Sequence, residues 1–281
     1  MMRAMRVRKL SVDDADACVA CAQTVGWAAP RDAWTWMLEL GDAYGIDAKG
    51  ELGGAVIVFP FGDVFAMVAM MMVRADVQRQ GLGQAVLRHA REALPRSTAM
   101  ALYSSDVGER LYRPLGFRDD GQSSRWEGLV APTSPREPPP PGLRELRADD
   151  VDALIALDAR AQGAPRPRLV RSLLVRRAAG WVVERAGRID GFGLALREQE
   201  ALRLGPIVAP RDDDAIAIAD ALAPSSGVIR LDLEPGEDVL LGWAEGRRLE
   251  AGVLSPRLVA GLDRLPGERR ASRSLAGRAF G

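Results

Sequence analysis

The chain has 281 residues, which predicts about two domains of ~150 residues each. Hydrophobic residues make up 47% and charged residues 27%, enough to fill a sizeable core and unlike a disordered chain. Lys+Arg and Asp+Glu are 38 each, and the zero net charge argues against a protein built to bind nucleic acid. Lys9 and Lys49 are the only lysines, and with so much alanine the arginine excess reads as a high-GC coding bias. No run approaches ~18 apolar residues, so no membrane span is expected. The start, Met1 to Arg6, lacks the apolar middle of a secretory signal. Cys18 and Cys21 are the only cysteines, which excludes a disulfide scaffold. A cytoplasmic, bacterial protein is the expectation.

The predicted elements of the first half are a strand at 4–10, helices at 13–25 and 31–40, and strands at 44–48, 53–59 and 64–73. A helix at 82–93, a strand at 99–104, a short helix at 106–114 and closing strands near 117–129 follow. The run Val64 to Val73 is rich in Ala and Met, which prefer helix. It is assigned as a buried strand because it feeds a glycine loop that opens a helix. A proline-rich run at 131–142 should be extended and semi-rigid, and the domain boundary is placed there. Beyond it the opening repeats without a gap: Val7-Arg8-Lys9-Leu10-Ser11-Val12-Asp13-Asp14 against Leu143-Arg144-Glu145-Leu146-Arg147-Ala148-Asp149-Asp150. Later landmarks recur in order, with strands around Gly53 and Gly191 and final helices ending near Gly116 and Gly246. The expected organisation is therefore two copies of one α/β unit, 1–130 and 143–281, joined by 131–142.

The strongest chemical signal is Val73-Arg74-Ala75-Asp76-Val77-Gln78-Arg79-Gln80-Gly81-Leu82-Gly83-Gln84. An apolar strand runs into a polar loop with two glycines and then an amphipathic helix. Glycines let the backbone approach a ligand, and the free N–H groups at a helix start favour an anion such as a diphosphate. No Lys-Ser or Lys-Thr follows the second glycine, so this is not a Walker loop, and the three-glycine dinucleotide fingerprint is absent. The residues alone leave an anion site and a plain glycine-rich turn equally open.

The segment Val73-x-Ala75-x-x-Gln78-Arg79-Gln80-Gly81-Leu82-Gly83 resembles motif A of the GNAT superfamily of N-acetyltransferases, with Ala75 in place of the usual proline. Gly108-Glu109-Arg110-Leu111-Tyr112-Arg113-Pro114-Leu115-Gly116-Phe117 is similar to that family's motif B, with Gly108 for the usual Ala and Ser105 where Asn is common. The resemblance covers about 4–130 and, more faintly, 143–281. It implies an α/β fold of two tandem GNAT-like domains, each a mostly antiparallel mixed sheet flanked by helices. It implies acetyl-CoA as co-substrate with no metal, its diphosphate on Gln78, Arg79, Gln80, Gly81, Leu82, Gly83 and Gln84. Its pantetheine arm would pair with Met71, Met72 and Val73. A backbone N–H near Val73 would polarise the thioester carbonyl, and Tyr112 would protonate the leaving thiolate. The acceptor would be a primary amine of a small molecule that attacks directly. Asp63 and Glu39 are candidates for its base.

Other signals are read as structural. Cys18-Val19-Ala20-Cys21 falls inside an amphipathic helix and reads as buried small residues. His89, the sole histidine, lacks a companion for zinc. Trp27, Trp34 and Trp36 either line an acceptor pocket or pack the core. Asp212-Asp213-Asp214 reads as a solvated helix start. The second copy keeps the frame without the chemistry, since it has no Gly-x-Gly loop. Aligning Gly246 with Gly116 puts Gly242 at the Tyr112 position and Arg247 at that of Phe117. It reads as a degenerate domain that closes the acceptor pocket. Two alternatives stay open: a transferase using another acyl-CoA or a larger acceptor, and a non-catalytic acyl-CoA sensor. Neither a nucleic-acid nor a membrane partner is expected, and the chain would be a monomer or a homodimer.

Overall fold

The computed structural model describes residues 6–130, 139–234 and 238–281. The proline run at 131–138 lies outside the described residues. Two compact units form. Unit 1 comprises residues up to 102 together with 106–118 and 259–262, and unit 2 comprises 103–105, 119–258 and 263–281. Residues 119–130 thus group with unit 2 although they precede the proline run.

The first half of the chain carries β1 (Val7–Lys9), α1 (Ala15–Gln23), α2 (Arg31–Leu40), β2 (Asp42–Ala48), β3 (Glu51–Phe61) and β4 (Phe65–Val73). It continues with α3 (Leu82–Ala93), β5 (Ala99–Tyr103), α4 (Asp106–Tyr112) and β6 (Arg118–Val130). The second half repeats the order: β7 (Leu143–Glu145), α5 (Val151–Gln162), α6 (Pro167–Arg176), β8 (Arg177–Arg185), β9 (Arg188–Glu198), β10 (Ala201–Val208), α7 (Asp212–Leu222), β11 (Gly227–Leu233) and α8 (Asp238–Gly246). It ends with β12 (Glu250–Ala251), β13 (Ser255–Ala260) and β14 (Ser272–Ser274).

In unit 1, β1, β2, β3 and β4 pair antiparallel in sequence, and β5 joins β4 in parallel. Unit 2 repeats this with β7, β8, β9 and β10 antiparallel and β11 parallel to β10. Each is therefore a mixed, mostly antiparallel sheet, as the resemblance implies. The duplicated opening folds the same way twice. Arg8 reaches Asp14 at 2.8 Å, and Arg144 reaches Asp150 at 2.8 Å. In each copy that carboxylate also accepts from a backbone N–H three residues before it, that of Ser11 or of Arg147. Its position closes a 3-10 turn before the first helix. The predicted 13–25 helix is therefore a short 3-10 turn followed by α1. Two-residue turns with positive φ at both positions, Lys49-Gly50 and Ala186-Gly187, close the β2–β3 and β8–β9 hairpins.

The Ala- and Met-rich run 65–73 is a strand. Packing between β3 and β5 overrides helix propensity there, and its first five side chains are buried. At its start Phe65 stacks on Phe61 across the hairpin, with centroids 4.5 Å apart. The closing segment near 117–129 is one strand and not several. Within it Gly121 has φ +127° without breaking the strand, and β6 runs antiparallel to β11 from Ser124 to Val130.

Candidate active site

In unit 1 the parallel pairing of β4 with β5 covers only Phe65–Ala99, Ala66–Met100 and Met67–Ala101. Beyond Met67, β4 continues to Val73 with β3 as its partner. The register with β3 slips so that Met70 and Met71 oppose Val56, and Met70 has φ +51°. This β-bulge re-aims the end of the strand. At the tip Arg74 N–H donates to Gly53 O at 2.8 Å. Antiparallel ladders alternate the side to which a residue turns its N–H and C=O, so those of Val73 face away from β3, on the β5 side. The Val73 carbonyl accepts from Gln78 Nε2 at 3.1 Å, which folds the loop back on the strand.

Arg74, buried and missed by the sequence reading, anchors the loop. Its guanidinium bonds Asp76 at 2.6 Å, Glu51 at 2.5 Å and Ala48 O at 3.3 Å. Lys49 adds a 2.9 Å pair to Asp76. The hydrogen bonds from Arg74 and Lys49 hold the Asp76 carboxyl down to about 2. Its spacing, two residues from Asp76 at a strand end, was the available clue. A 3-10 turn at Ala75–Val77 follows, then Arg79 at φ +60° and Gly81 at φ +84°.

Gly81 is the N-cap of α3 and has no side chain to cap it. The first intrahelical bond is Ala85 N to Gly81 O at 3.0 Å. The amides of Leu82, Gly83 and Gln84 precede it and have no acceptor within the helix. Together with the positive end of the helix dipole they make a helix end that favours an anion. Gly83 is set by close approach: a Cβ there would lie 3.3 Å from Met71 Cε and Val73 Cγ2, and 3.5 Å from Leu111 Cδ2. The structure therefore brings Met71, Val73, Gly83 and α4 together, and the bare backbone between them suits a diphosphate followed by an extended arm.

Tyr112 ends α4, 7% exposed, its ring tilted against Phe117 with centroids 5.6 Å apart. Burial pushes its phenol well above the usual tyrosine range, so it keeps its proton at neutral pH. Of the base candidates, Asp63 lies in the turn before β4, at the opposite end of that strand from Val73. Nine residues of strand separate it from the loop. Glu39 is exposed on α2. Trp34 is fully buried core, Trp36 is half-buried and Trp27 is 40% exposed. His89 meets Tyr44 edge-on at 5.1 Å, and among the described residues no group of three His, Cys, Asp or Glu could hold a metal. Cys18 and Cys21 are buried in α1, and burial pushes the Cys18 thiol up to about 12.

In unit 2 the acidic start of α7 is less solvated than the sequence suggests. Asp214 is 4% exposed and held by both Arg185 Nη atoms at 2.8 and 2.5 Å. Asp212 pairs with Arg273 at 2.8 Å. A long-range arginine answers each of these charges, which local sequence cannot show. The structure shifts the expected alignment of the two copies by two residues: Leu249 N–H bonds Ala244 O after a left-handed Arg248, as Phe117 N–H bonds Tyr112 O after a left-handed Gly116, so Ala244 and not Gly242 holds the Tyr112 position, and it supplies no acid.

Comparison with known proteins agrees with this frame twice over. The acetyltransferase (GNAT) domain family matches residues 36–119 through one of its models and 154–271 through another. The uncharacterized N-acetyltransferase YitH of Bacillus subtilis is 26% identical over 198 residues, 69% of each chain. The holothin acyltransferase of a Pseudoalteromonas species is 25% identical over 214 residues, 70% of this chain and 71% of that one. Among solved structures, a candidate acetyltransferase from Pyrococcus horikoshii superposes with a TM-score of 0.82 at 21% identity, covering 100% of this chain and 97% of that one. A tandem GNAT protein from the clavulanic acid biosynthesis pathway superposes with a TM-score of 0.64 at 16% identity, covering 91% and 98%.

Proposed function

This chain belongs to the GNAT acetyltransferases and carries two such domains in tandem, and from that premise we propose that unit 1 transfers an acetyl group from acetyl-CoA to a primary amine of a small molecule. One observation carries the proposal: β4 outruns its pairing with β5, turns the Val73 amide away from β3, and leads into an uncapped helix start.

Acetyl-CoA supplies the acetyl group as an activated thioester. Amides from Gln78 to Gln84 hold the diphosphate, and the backbone of Met71, Met72 and Val73 pairs with the extended arm. The Val73 N–H donates to the thioester carbonyl oxygen, where negative charge develops as the amine attacks. The C–N bond forms and the C–S bond breaks. Tyr112, kept protonated by burial, gives its proton to the departing sulfur, and water carries off the amine's proton. No metal takes part in this scheme. Unit 2, which lacks the loop and the tyrosine, takes no part in this scheme.

The test is release of free CoA from acetyl-CoA across a library of primary amines. Turnover with at least one amine, falling ~100-fold in Tyr112→Phe while CoA still binds, is the expected result. Tight CoA binding without turnover on any amine would replace the enzyme by an acyl-CoA sensor. The relative named holothin acyltransferase favours running the screen with longer acyl-CoA donors as well.

A further inference from the structure

Unit 2 contains the same strand arrangement as unit 1, but with a segment of its own chain lying in it. Parallel pairing of β10 with β11 stops after Ala201–Val228, Leu202–Ile229 and Arg203–Arg230. As in β4, the outer register slips next, here between Leu204 and Ile207. On the side where β11 has parted from β10, β14 pairs with β10 instead, Ile207 against Ser274 and Val208 against Ser272. The segment touches both lips of the gap. Ser274 Oγ donates to Leu204 O at 2.7 Å, and Leu275 N–H donates to Asp232 O of β11 at 3.0 Å. Leu275 O sits so close to Gly205, in the bulge, that a Cβ there would collide with it.

The next residue outward completes the likeness. Arg273, 7% exposed, donates to Ala209 O at 2.7 Å and Pro210 O at 3.0 Å, and its guanidinium pairs with Asp212 at the first turn of α7. In unit 1 the corresponding helix start is a bare glycine cap. An extended backbone thus lies where unit 1 would take the pantetheine arm. A carboxylate–guanidinium pair stands where unit 1 would take the diphosphate.

We propose that residues 272–276 are a built-in strand ligand of the unit 2 groove, so that the chain takes up one acyl-CoA and not two. The count of one rests on the reading of unit 1 above, whereas the occupancy of unit 2 does not. A diphosphate entering unit 2 would have to displace the Arg273–Asp212 pair and then face the exposed carboxylates of Asp212 and Asp213 at the helix start. An extended arm would have to break the bonds to Leu204, Ile207, Val208 and Asp232.

The full-length chain tests this by calorimetric titration with CoA, combined with amide hydrogen exchange. One equivalent per chain is expected, with the amides of 272–276 protected at least 100-fold whether or not CoA is present. Gly205→Ala should unseat the segment and speed exchange there at least tenfold, leaving 65–93 unchanged. If that variant does not fold, Ser274→Ala removes one hydrogen bond and should speed exchange about fivefold, the factor for ~1 kcal/mol. Two equivalents of CoA, free exchange of 272–276 in the parent chain, or exchange unmoved in the folded variants would each overturn the proposal. Absence of any CoA binding would instead sink the acetyltransferase reading of unit 1, and exchange would still decide the occupancy of unit 2.

Discussion

Two grooves built from the same strand order meet different fates. In unit 1, β4 parts from β5 after Met67, and a glycine-capped helix follows. In unit 2, β10 parts from β11 after Arg203, β14 pairs in the gap, and the helix start carries ion-paired carboxylates. The strand lining differs too. The buried residues of β4 are all apolar, whereas β10 places Arg203 3% exposed against Glu198 and Asp232. A GNAT frame does not by itself make a coenzyme site. The site needs bare backbone at the bulge and the helix start, and unit 2 has covered both.

The largest expected effect probes that charged lining. Asp232 is fully buried and is met by Arg203, Arg125 at 3.1 Å and Arg278 at 3.6 Å. Asp232→Ala would leave Arg203 Nη1 without its carboxylate while Glu198 keeps the other two nitrogens, and should cost ~1.5–3 kcal/mol, read as a lowered unfolding midpoint in unit 2. A loss below ~1 kcal/mol would mean that the two linings are energetically alike. The pH dependence has a definite sign. Burial pushes the Asp232 carboxyl up, but Arg203, Arg125 and Arg278 outweigh it and leave the group below the usual aspartate value. Its stabilisation is present above ~3.9, the ordinary aspartate value, and is lost as pH falls through the folded value. Acid should therefore loosen unit 2, and Asp232→Asn should flatten that part of the acid titration.

The second effect is catalytic. Tyr112→Phe should lower kcat ~100-fold and change CoA affinity by less than about twofold. Ala244 stands at the Tyr112 position of the second copy and is fully buried, whereas at Gly242 on the same helix an added Cβ would meet nothing within 4 Å. Gly242→Tyr therefore tests whether a phenol carried on that helix can wake unit 2. No gain in turnover above the parent is expected, because the groove stays covered. Since burial raises the Tyr112 phenol, the parent rate should not decline with rising pH before ~10, the ordinary tyrosine value. A fall near neutrality would point to another acid.

The repeat, the glycine loop and the motif tyrosine were legible because each is local: a spacing, a cap, a helix end. Even the buried strand 65–73 could be placed against its own propensity, because the loop after it demanded a strand. The covering of unit 2 was not legible. Ser272, Arg273 and Ser274 read as ordinary polar residues, and their partners Ile207, Val208 and Asp212 stand some sixty residues earlier. Arg185 and Asp214 escaped for the same reason, as a charge pair across 29 residues has no periodicity to betray it. The exchange of 119–130 into unit 2 is likewise set by pairing with β11 and not by composition.

The smallest effect compares the two helix starts directly. Gly81 caps α3 at φ +84°, where an L side chain is strained, and Arg211 caps α7 at φ −104°, where any residue is at ease. Gly81→Ala should therefore cost ~1–2 kcal/mol in stability, and CoA binding should weaken as the loop amides are drawn out of line. Arg211→Ala should cost less than ~0.5 kcal/mol, since its 4.0 Å contact with Asp213 joins two side chains that are 65% and 89% exposed. It should also leave CoA binding unchanged. Paired melts and titrations of the two variants measure this contrast. Equal costs, or a CoA response to Arg211→Ala, would erase the distinction between a helix start shaped for a ligand and one shaped only to begin a helix.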